Sequence, residues 1–384
     1  MGLLVALALP GGPSYEAAIR RVWDAGNAIA PIDVRLPEAE QARVMAAIRP
    51  GAVIEADGEQ RSLPDGVPVE TGDAVVIATS GTAGEPKGVI HTHGSVQASA
   101  EAIGTALAVD PTTDRWLACL PLAHIGGLAV VLRSIVTETP VEIHDRFDAA
   151  ATIDAAGRGA TLVSLVTRAL NQVPADAFRT VLIGGAASPT DRPANVIATY
   201  GMTETGSGVV YQAPGERPVP LDGLSIIIGP PNDPVSPGTE GEIHLRGPML
   251  FRGYRFRDTP FADGGWFPTG DLGTMTEDGS LVVAGRRGDV IVTGGEKVWP
   301  EPVERLLAGR EDVAEVALIG RPDPDWGHRV VAVVVPADGQ PRPSLDDLRD
   351  TVQGQLPVWA APKELEFRDA LPKTSLGKVR RTLL

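Results

Sequence analysis

The chain opens with an almost continuously apolar run, Met1 to Leu9, which Pro10-Gly11-Gly12-Pro13 ends; this is the pattern of a short buried strand and a turn. Helical spacing of apolar residues follows from Tyr15 to Ala25, then a short apolar strand at Ala28–Ile32, then helical spacing again from Pro37 to Ile48. Pro37 suits a helix start because its missing N–H is not needed there, and Pro50-Gly51 marks the exit. Val75–Ala78 reads as a buried strand running into a Gly/Thr/Ser-rich turn, and a helix is predicted from about Gly94 to Leu107. Further short apolar strands at Trp116–Leu120, Leu162–Leu165 and Val181–Ile183 alternate with helical stretches, as in a mostly parallel α/β sheet.

The texture changes after about residue 205. Short strands such as Leu224–Ile228 and Glu242–Leu245 alternate with Gly/Pro turns, which predicts a small barrel-like β region over about 206–284. From 289 onward a helix at Pro302–Leu307, strands at Val313–Ile319 and Val330–Val335, and a helix at Ser344–Leu356 capped by Ser344 make a small α+β unit. The expected fold class is therefore α/β: a large N-terminal domain over 1–286, with a shortened first subdomain, and a small mobile α+β C-terminal domain over 287–384.

Composition narrows the function. With 34 Lys and Arg against 49 Asp and Glu, the net charge of −15 argues against nucleic acid as a partner. A few fixed donors can still hold a small anion locally. The one cysteine, Cys119, cannot form an intramolecular disulfide, no apolar run approaches bilayer-spanning length, and the N-terminus lacks a basic leader region. A cytoplasmic protein with no membrane insertion is expected, and a homo-oligomer is left open.

The segment Thr79-Ser80-Gly81-Thr82-Ala83-Gly84-Glu85-Pro86-Lys87-Gly88-Val89 follows a buried strand. Small hydroxyl and glycine residues let backbone N–H groups surround phosphate oxygens, and Lys87 adds a cation. No Gly-Lys-Ser/Thr follows, so it is not a Walker loop. Four more segments stand out: Tyr200-Gly201-Met202-Thr203-Glu204, Thr269-Gly270-Asp271, Gly285-Arg286 through Asp289 with Gly294-Gly295-Glu296 after it, and Pro372 to Arg380 with Lys378 inside it. Read alone, Glu204 is a solvated carboxylate, Tyr200 a core ring, Asp271 a turn former and Lys378 a surface charge near a chain end.

In this order, the five segments resemble the adenylate-forming superfamily of acyl- and aryl-CoA synthetases, adenylation domains and luciferases. The resemblance implies an ATP-dependent acid–thiol ligase that uses ATP, Mg²⁺ and coenzyme A on a small carboxylic acid. It implies that Thr79, Ser80, Gly81, Thr82 and Lys87 hold ATP phosphates and that Tyr200 stacks on adenine. Asp271 takes the ribose hydroxyls, helped by Arg286. Thr203, Glu204 and Lys378 are catalytic, with Glu204 the Mg²⁺ ligand. Gly294, Gly295 and Glu296 serve the thiol step, and Gly288 sits at the hinge. His124, Gly184, Gly185, Ala186, Gly201 and Thr205 frame the acyl pocket, where Gly185 and Gly201 leave room for a flat ring. His91-Thr92-His93 has no Cys or carboxylate cluster beside it, which argues against a metal there.

Ala83 replaces a second threonine common in the phosphate loop, Gly288 stands where many members carry Asp or Lys, and only 78 residues precede the loop. This compactness, with Gly184-Gly185-Ala186-Ala187 and the run Tyr200–Tyr211, is most similar to the o-succinylbenzoate–CoA ligases of menaquinone biosynthesis. Three alternatives stay open: a CoA ligase for another aryl or alkyl acid, an enzyme loading a carrier protein in trans, and a nucleotide-binding module without catalysis.

Overall fold

The computed structural model describes residues 1–80, 86–185, 191–373 and 379–384. They form two compact units, one of residues 1–226 with 245–267 and one of residues 227–244 with 268–384. Gly81, Thr82, Ala186 and Lys378 lie outside the described residues.

The first unit holds two seven-stranded sheets. In one, β1 (Leu4–Leu7), β2 (Ala28–Pro31), β3 (Ala52–Ile54), β4 (Gln60–Ser62), β5 (Asp73–Ser80) and β6 (Pro86–Thr92) lie in the order Gly253–Tyr254, β6, β5, β2, β1, β3, β4. β1 pairs in parallel with both β2 and β3 and is buried throughout, so its apolar run does not alternate. Helix α1 (Pro13–Asp24) starts on a proline and buries Tyr15, Ala18, Ile19 and Val22 on one face. Helix α2 (Glu38–Ile48) ends in a left-handed Arg49.

Between β5 and the helix expected at about Gly94 to Leu107 lies a further strand, β6. β5 and β6 form an antiparallel pair with Thr79 opposite Lys87 and Ser80 opposite Pro86. Helix α3 (His93–Ala106) starts only afterwards, capped reciprocally by Thr92 and Ser95. β6 escapes a hydrophobicity reading because Lys87, Gly88 and His91 interrupt it. It is a strand because β5 pairs on one side and Gly253–Tyr254 on the other. Gly88 is required there, since a Cβ would stand 2.9 Å from Val76 Cγ1.

The second sheet runs Val219–Pro220, Ser207–Gln212, Val196–Met202, Thr180–Ile183, Leu162–Leu165, Trp116–Ala118, Val141–Ile143. Its interior pairs are parallel and its Ser207–Gln212 edge is antiparallel, with an irregularity at Tyr200/Gly201. Helix α4 (Ile125–Thr137) is buried along most of its length. Cys119 is fully buried just past the Trp116–Ala118 strand.

Strands Ser225–Ile228, Glu240–Arg246, Phe267–Met275 and Leu281–Arg286 form a four-stranded sheet. In the second unit a five-stranded sheet is built around the long hairpin Val313–Asp323 and Gly327–Pro336, with Pro300–Ala308 and Leu345–Gln353 as its helices. Val303, Leu307, Leu318, Val330, Leu348 and Val352 meet in its core. No described helix is long and apolar enough to cross a membrane.

Candidate active site

β6 and the turn Thr203–Thr205 build the polar centre of the first unit. The turn is a 3₁₀ segment locked by its own side chains: Met202 N–H donates to Thr205 Oγ1 at 2.8 Å, and Thr205 Oγ1 lies 2.7 Å from the Ser207 carbonyl. Thr205, expected in the acyl pocket, is fully buried, and its hydroxyl is engaged with backbone. Gly201 also has a reason other than ring space. A Cβ there would stand 2.2 Å from the Ser207 carbonyl oxygen, so glycine lets two strands cross closely. Gly184 likewise abuts Thr199 Oγ1, at 2.7 Å from a Cβ position, whereas Gly185 faces open space with φ +86°. Tyr200 is half-buried on the strand leading into the turn.

Glu204 is buried and ionised by its neighbours. Lys87 Nζ and the Tyr254 hydroxyl donate to Glu204 Oε1 at 2.9 and 2.8 Å, and Lys87 Nζ lies 2.9 Å from Tyr254 Oη. Burial alone would favour the neutral acid, but the Lys87 ammonium and the Tyr254 hydroxyl outweigh it and hold the carboxyl below the usual glutamate range. Tyr254 was not singled out from sequence. Gly253–Tyr254 pairs with Ile90 and Val89, and that register delivers the phenol.

Behind the turn, His91 Nε2 meets the Thr203 carbonyl at 2.7 Å, and burial keeps the imidazole below its ordinary pKa. His93 opens α3 and packs edge-on against Trp23. His124 is the N-cap residue of α4, and its carbonyl accepts from Gly127 and Leu128 N–H. Burial lowers its pKa, with Asp33 opposing and Arg35 reinforcing the shift.

α4 brings Ile125, Ala129 and Arg133 to one face by four-residue spacing, and they line a small cavity with His91, Ser99 and Gly206. Arg133 is almost fully buried with no acidic partner among the described residues. Its Nε donates to the Ala129 carbonyl and Nη2 to Ser207 Oγ, each at 3.0 Å, while Nη1 has no acceptor. The guanidinium lies 4.7 Å from the Trp116 ring centroid. Burial pulls its pKa down and pushes the nearby Tyr211 phenol, whose oxygen has no hydrogen-bond partner among the described residues, up to about 12.

The second unit carries the other motif residues. Asp271 sits directly opposite Arg286 across an antiparallel pair, with Nε 2.9 Å from Oδ1. Arg286 Nη1 donates to the Thr269 carbonyl at 2.6 Å, and Thr269 Oγ1 accepts from Asp271 N–H at 3.0 Å. Asp271 is buried and its orientation is thereby set. Gly294 and Gly295 form a two-residue hairpin turn with φ +60° and +85°, closed by Thr293 opposite Glu296. A Cβ on Gly294 would stand 2.6 Å from the Trp326 ring. Glu296 is exposed. Gly288 has open space around it, between Arg287, paired with Glu242 at 3.0 Å, and Asp289, paired with Arg381 at 3.4 Å.

The AMP-binding enzyme profile matches residues 57–255, and the profile for the C-terminal domain of AMP-binding enzymes matches 302–378. The chain belongs to the AMP-binding enzyme family. As such it is 38% identical over 340 residues to a probable 2-succinylbenzoate–CoA ligase of Mycobacterium tuberculosis, an alignment spanning 81% of this chain and 83% of that protein. It is 33% identical over an alignment of 429 residues to a feruloyl-CoA synthase of Amycolatopsis sp., spanning 98% and 87%. Among solved structures it superposes on o-succinylbenzoate CoA synthetase of Bacillus subtilis in complex with its acyl-adenylate intermediate. There the TM-score is 0.87 at 27% identity, over 99% of this chain and 87% of that one. The large-plus-small α/β fold expected from sequence is that of the family.

The donor set of this AMP-binding enzyme suits magnesium that arrives with a nucleotide. Among the described residues no three His, Cys, Asp or Glu side chains form a metal cage. Glu204 offers one buried hard oxygen donor, which fits an ion whose other ligands are phosphate oxygens and water.

Proposed function

We propose that this enzyme is an ATP-dependent ligase that converts 2-succinylbenzoate to its CoA thioester through an acyl-adenylate. The observation that carries the choice of acid is Arg133, a buried guanidinium with an unmet Nη1 on the cavity beside Gly206. A buried cation without a partner favours a ligand that brings an anion. 2-Succinylbenzoate has two carboxylates, one to be activated and one left to pair with Arg133; ferulate has only the first. The similarity to a feruloyl-CoA synthase, which spans nearly the whole chain, keeps an aromatic monoacid as the second reading.

The chemistry follows from charge. Lys87 leaves Glu204 for the ATP phosphates, and Glu204 with Thr203 would hold magnesium, whose charge offsets the triphosphate. The B. subtilis synthetase has been solved with ATP and magnesium ion. Asp271, oriented by Arg286 and Thr269, accepts from the ribose hydroxyls, and Tyr200 stacks on adenine. The free carboxylate attacks the α-phosphorus and pyrophosphate leaves, with Lys378 stabilising the two approaching anions. The CoA thiol then attacks the acyl carbon, giving thioester and AMP. Residues 287–384 act as the moving C-terminal domain, with Gly288 as pivot and the Gly294–Glu296 turn serving the second step.

The test is pyrophosphate release from magnesium–ATP over a panel of acids, with and without CoA. CoA-dependent turnover on 2-succinylbenzoate, far above ferulate and benzoate, is expected. Preference for ferulate would move the enzyme to the second reading. Silence with every acid would sink the ligase assignment.

A further inference from the structure

Lys87 and His91 are four residues apart on β6 and so share one face of the strand. Both reach the same short turn. Lys87 takes the Glu204 carboxylate at 2.9 Å, and His91 Nε2 takes the Thr203 carbonyl oxygen at 2.7 Å. A carbonyl can only accept, so Nε2 carries the proton, and Nδ1 faces Ser95 Oγ at 3.2 Å. Ser95 is itself fixed, because it caps α3: Thr92 N–H donates to Ser95 Oγ at 3.0 Å and Ser95 N–H to Thr92 Oγ1 at 3.1 Å. The imidazole is 1% exposed, and Gly206, with φ +71°, brings its Cβ direction within 3.4 Å of His91 Cε1. The ring is thus wedged between a capped helix start and the back of the turn that presents Glu204.

We propose that His91 is a positioning residue of the nucleotide–metal site: it anchors the Thr203–Glu204 backbone so that the carboxylate keeps its place when Lys87 departs for the phosphates. This rests on the reading of Glu204 as the magnesium ligand. Lys87 and Tyr254 hold the carboxylate from the front. Once Lys87 turns away, Thr203 O keeps Gly206 N–H at 3.0 Å within the turn, and the anchors that tie this backbone to other elements are His91 on Thr203 O and Phe251 N–H on Glu204 O at 2.9 Å. A histidine buried in a hydrogen-bonded setting is ordinarily structural, so the test must separate site geometry from folding.

Full-length His91→Leu and His91→Gln are compared with wild type for calorimetric binding of magnesium–ATP and of metal-free AMP, together with thermal unfolding. His91→Leu is expected to weaken magnesium–ATP about tenfold and AMP less than about twofold. His91→Gln, whose amide nitrogen can still donate to Thr203, should recover most of the loss. Unchanged magnesium–ATP binding by a folded His91→Leu overturns the proposal. So does an equal loss of both ligands in both variants accompanied by a lower Tm, which marks a purely structural residue. Should the leucine variant not fold, His91→Asn replaces it, since its shorter amide leaves the Thr203 carbonyl with Gly206 N–H alone, with the same contrast to His91→Gln expected. Wild type that binds ATP equally with and without magnesium would overturn the Glu204 reading and this proposal together, and the wild-type curve alone distinguishes that case.

Discussion

Of the lysine–glutamate ion pairs among the described residues, Lys87–Glu204 and Lys297–Glu240 differ most in their surroundings. Lys87–Glu204 is largely shielded, with side-chain exposures of 22% and 10%, and shares a tyrosine hydroxyl. Lys297–Glu240 has a similar distance, 2.7 against 2.9 Å, but exposures of 55% and 30%. Distance alone does not rank them. Water screens the second pair and leaves it cheap to break, whereas the first has replaced its hydration with fixed partners. A nucleotide that offers phosphates to Lys87 and a divalent ion to Glu204 can exchange those partners without exposing either charge bare.

The largest effect is expected from breaking the shielded pair. Lys87→Met should lower stability by about 2–3 kcal/mol in urea unfolding, since it leaves a buried carboxylate without its cation. Adenylate formation should fall at least about 100-fold. The pH dependence sharpens this. Because the Glu204 pKa is lowered in the fold, the stability it contributes is full above the ordinary glutamate range and is lost as pH falls below it. In Lys87→Met, burial acts unopposed by that cation and favours the neutral acid, so this acid-side loss should shrink. An unchanged acid limb in the variant would contradict the assignment.

Arg133→Leu comes next and probes a buried charge with no acidic partner among the described residues and an unmet Nη1. Losing one charged contact is worth about 2 kcal/mol, or about 30-fold in kcat/KM for 2-succinylbenzoate, with turnover of monoacids little changed. Thermal stability should hold or rise, because an unsatisfied buried cation is removed. Gly294→Ala forces a left-handed φ on alanine and drives a methyl into Trp326. It should destabilise the second unit by about 1–2 kcal/mol, and thioester formation should suffer more than adenylate formation in stopped-flow traces. The smallest effect is Lys297→Ala, expected to change stability by less than about 1 kcal/mol and by nothing at 1 M salt.

Much of this was legible in the chain. Apolar periodicity places β1, α1, α2 and the Val313–Pro336 hairpin arms within a few residues of their observed ends. The segments 79–89, 200–204 and 269–271 announce themselves through small and polar residues set against apolar runs. The partners of those motifs did not. Tyr254 lies 167 residues from Lys87, and only the pairing of Gly253–Tyr254 with β6 joins them. Arg133 did leave a signal, a lone charge within the apolar run Leu128 to Ile135, which a search for solitary charges in buried helices would catch. For Gly201 and Thr205 the sequence leaves the role open, because close backbone approach and turn locking call for the same small residues as an open pocket does.

Cys119 is the one cysteine, fully buried, and its thiol is pushed up to about 12 by burial. A thiol that is neither exposed nor ionised does not react with maleimides on the timescale of labelling. The natural chain is therefore a dark background for site-specific dyes. One cysteine introduced on the surface within 1–286 and one within 287–384 would carry a donor–acceptor pair with no native site to remove first, so that the proposed movement of 287–384 could be tested as a distance, one molecule at a time.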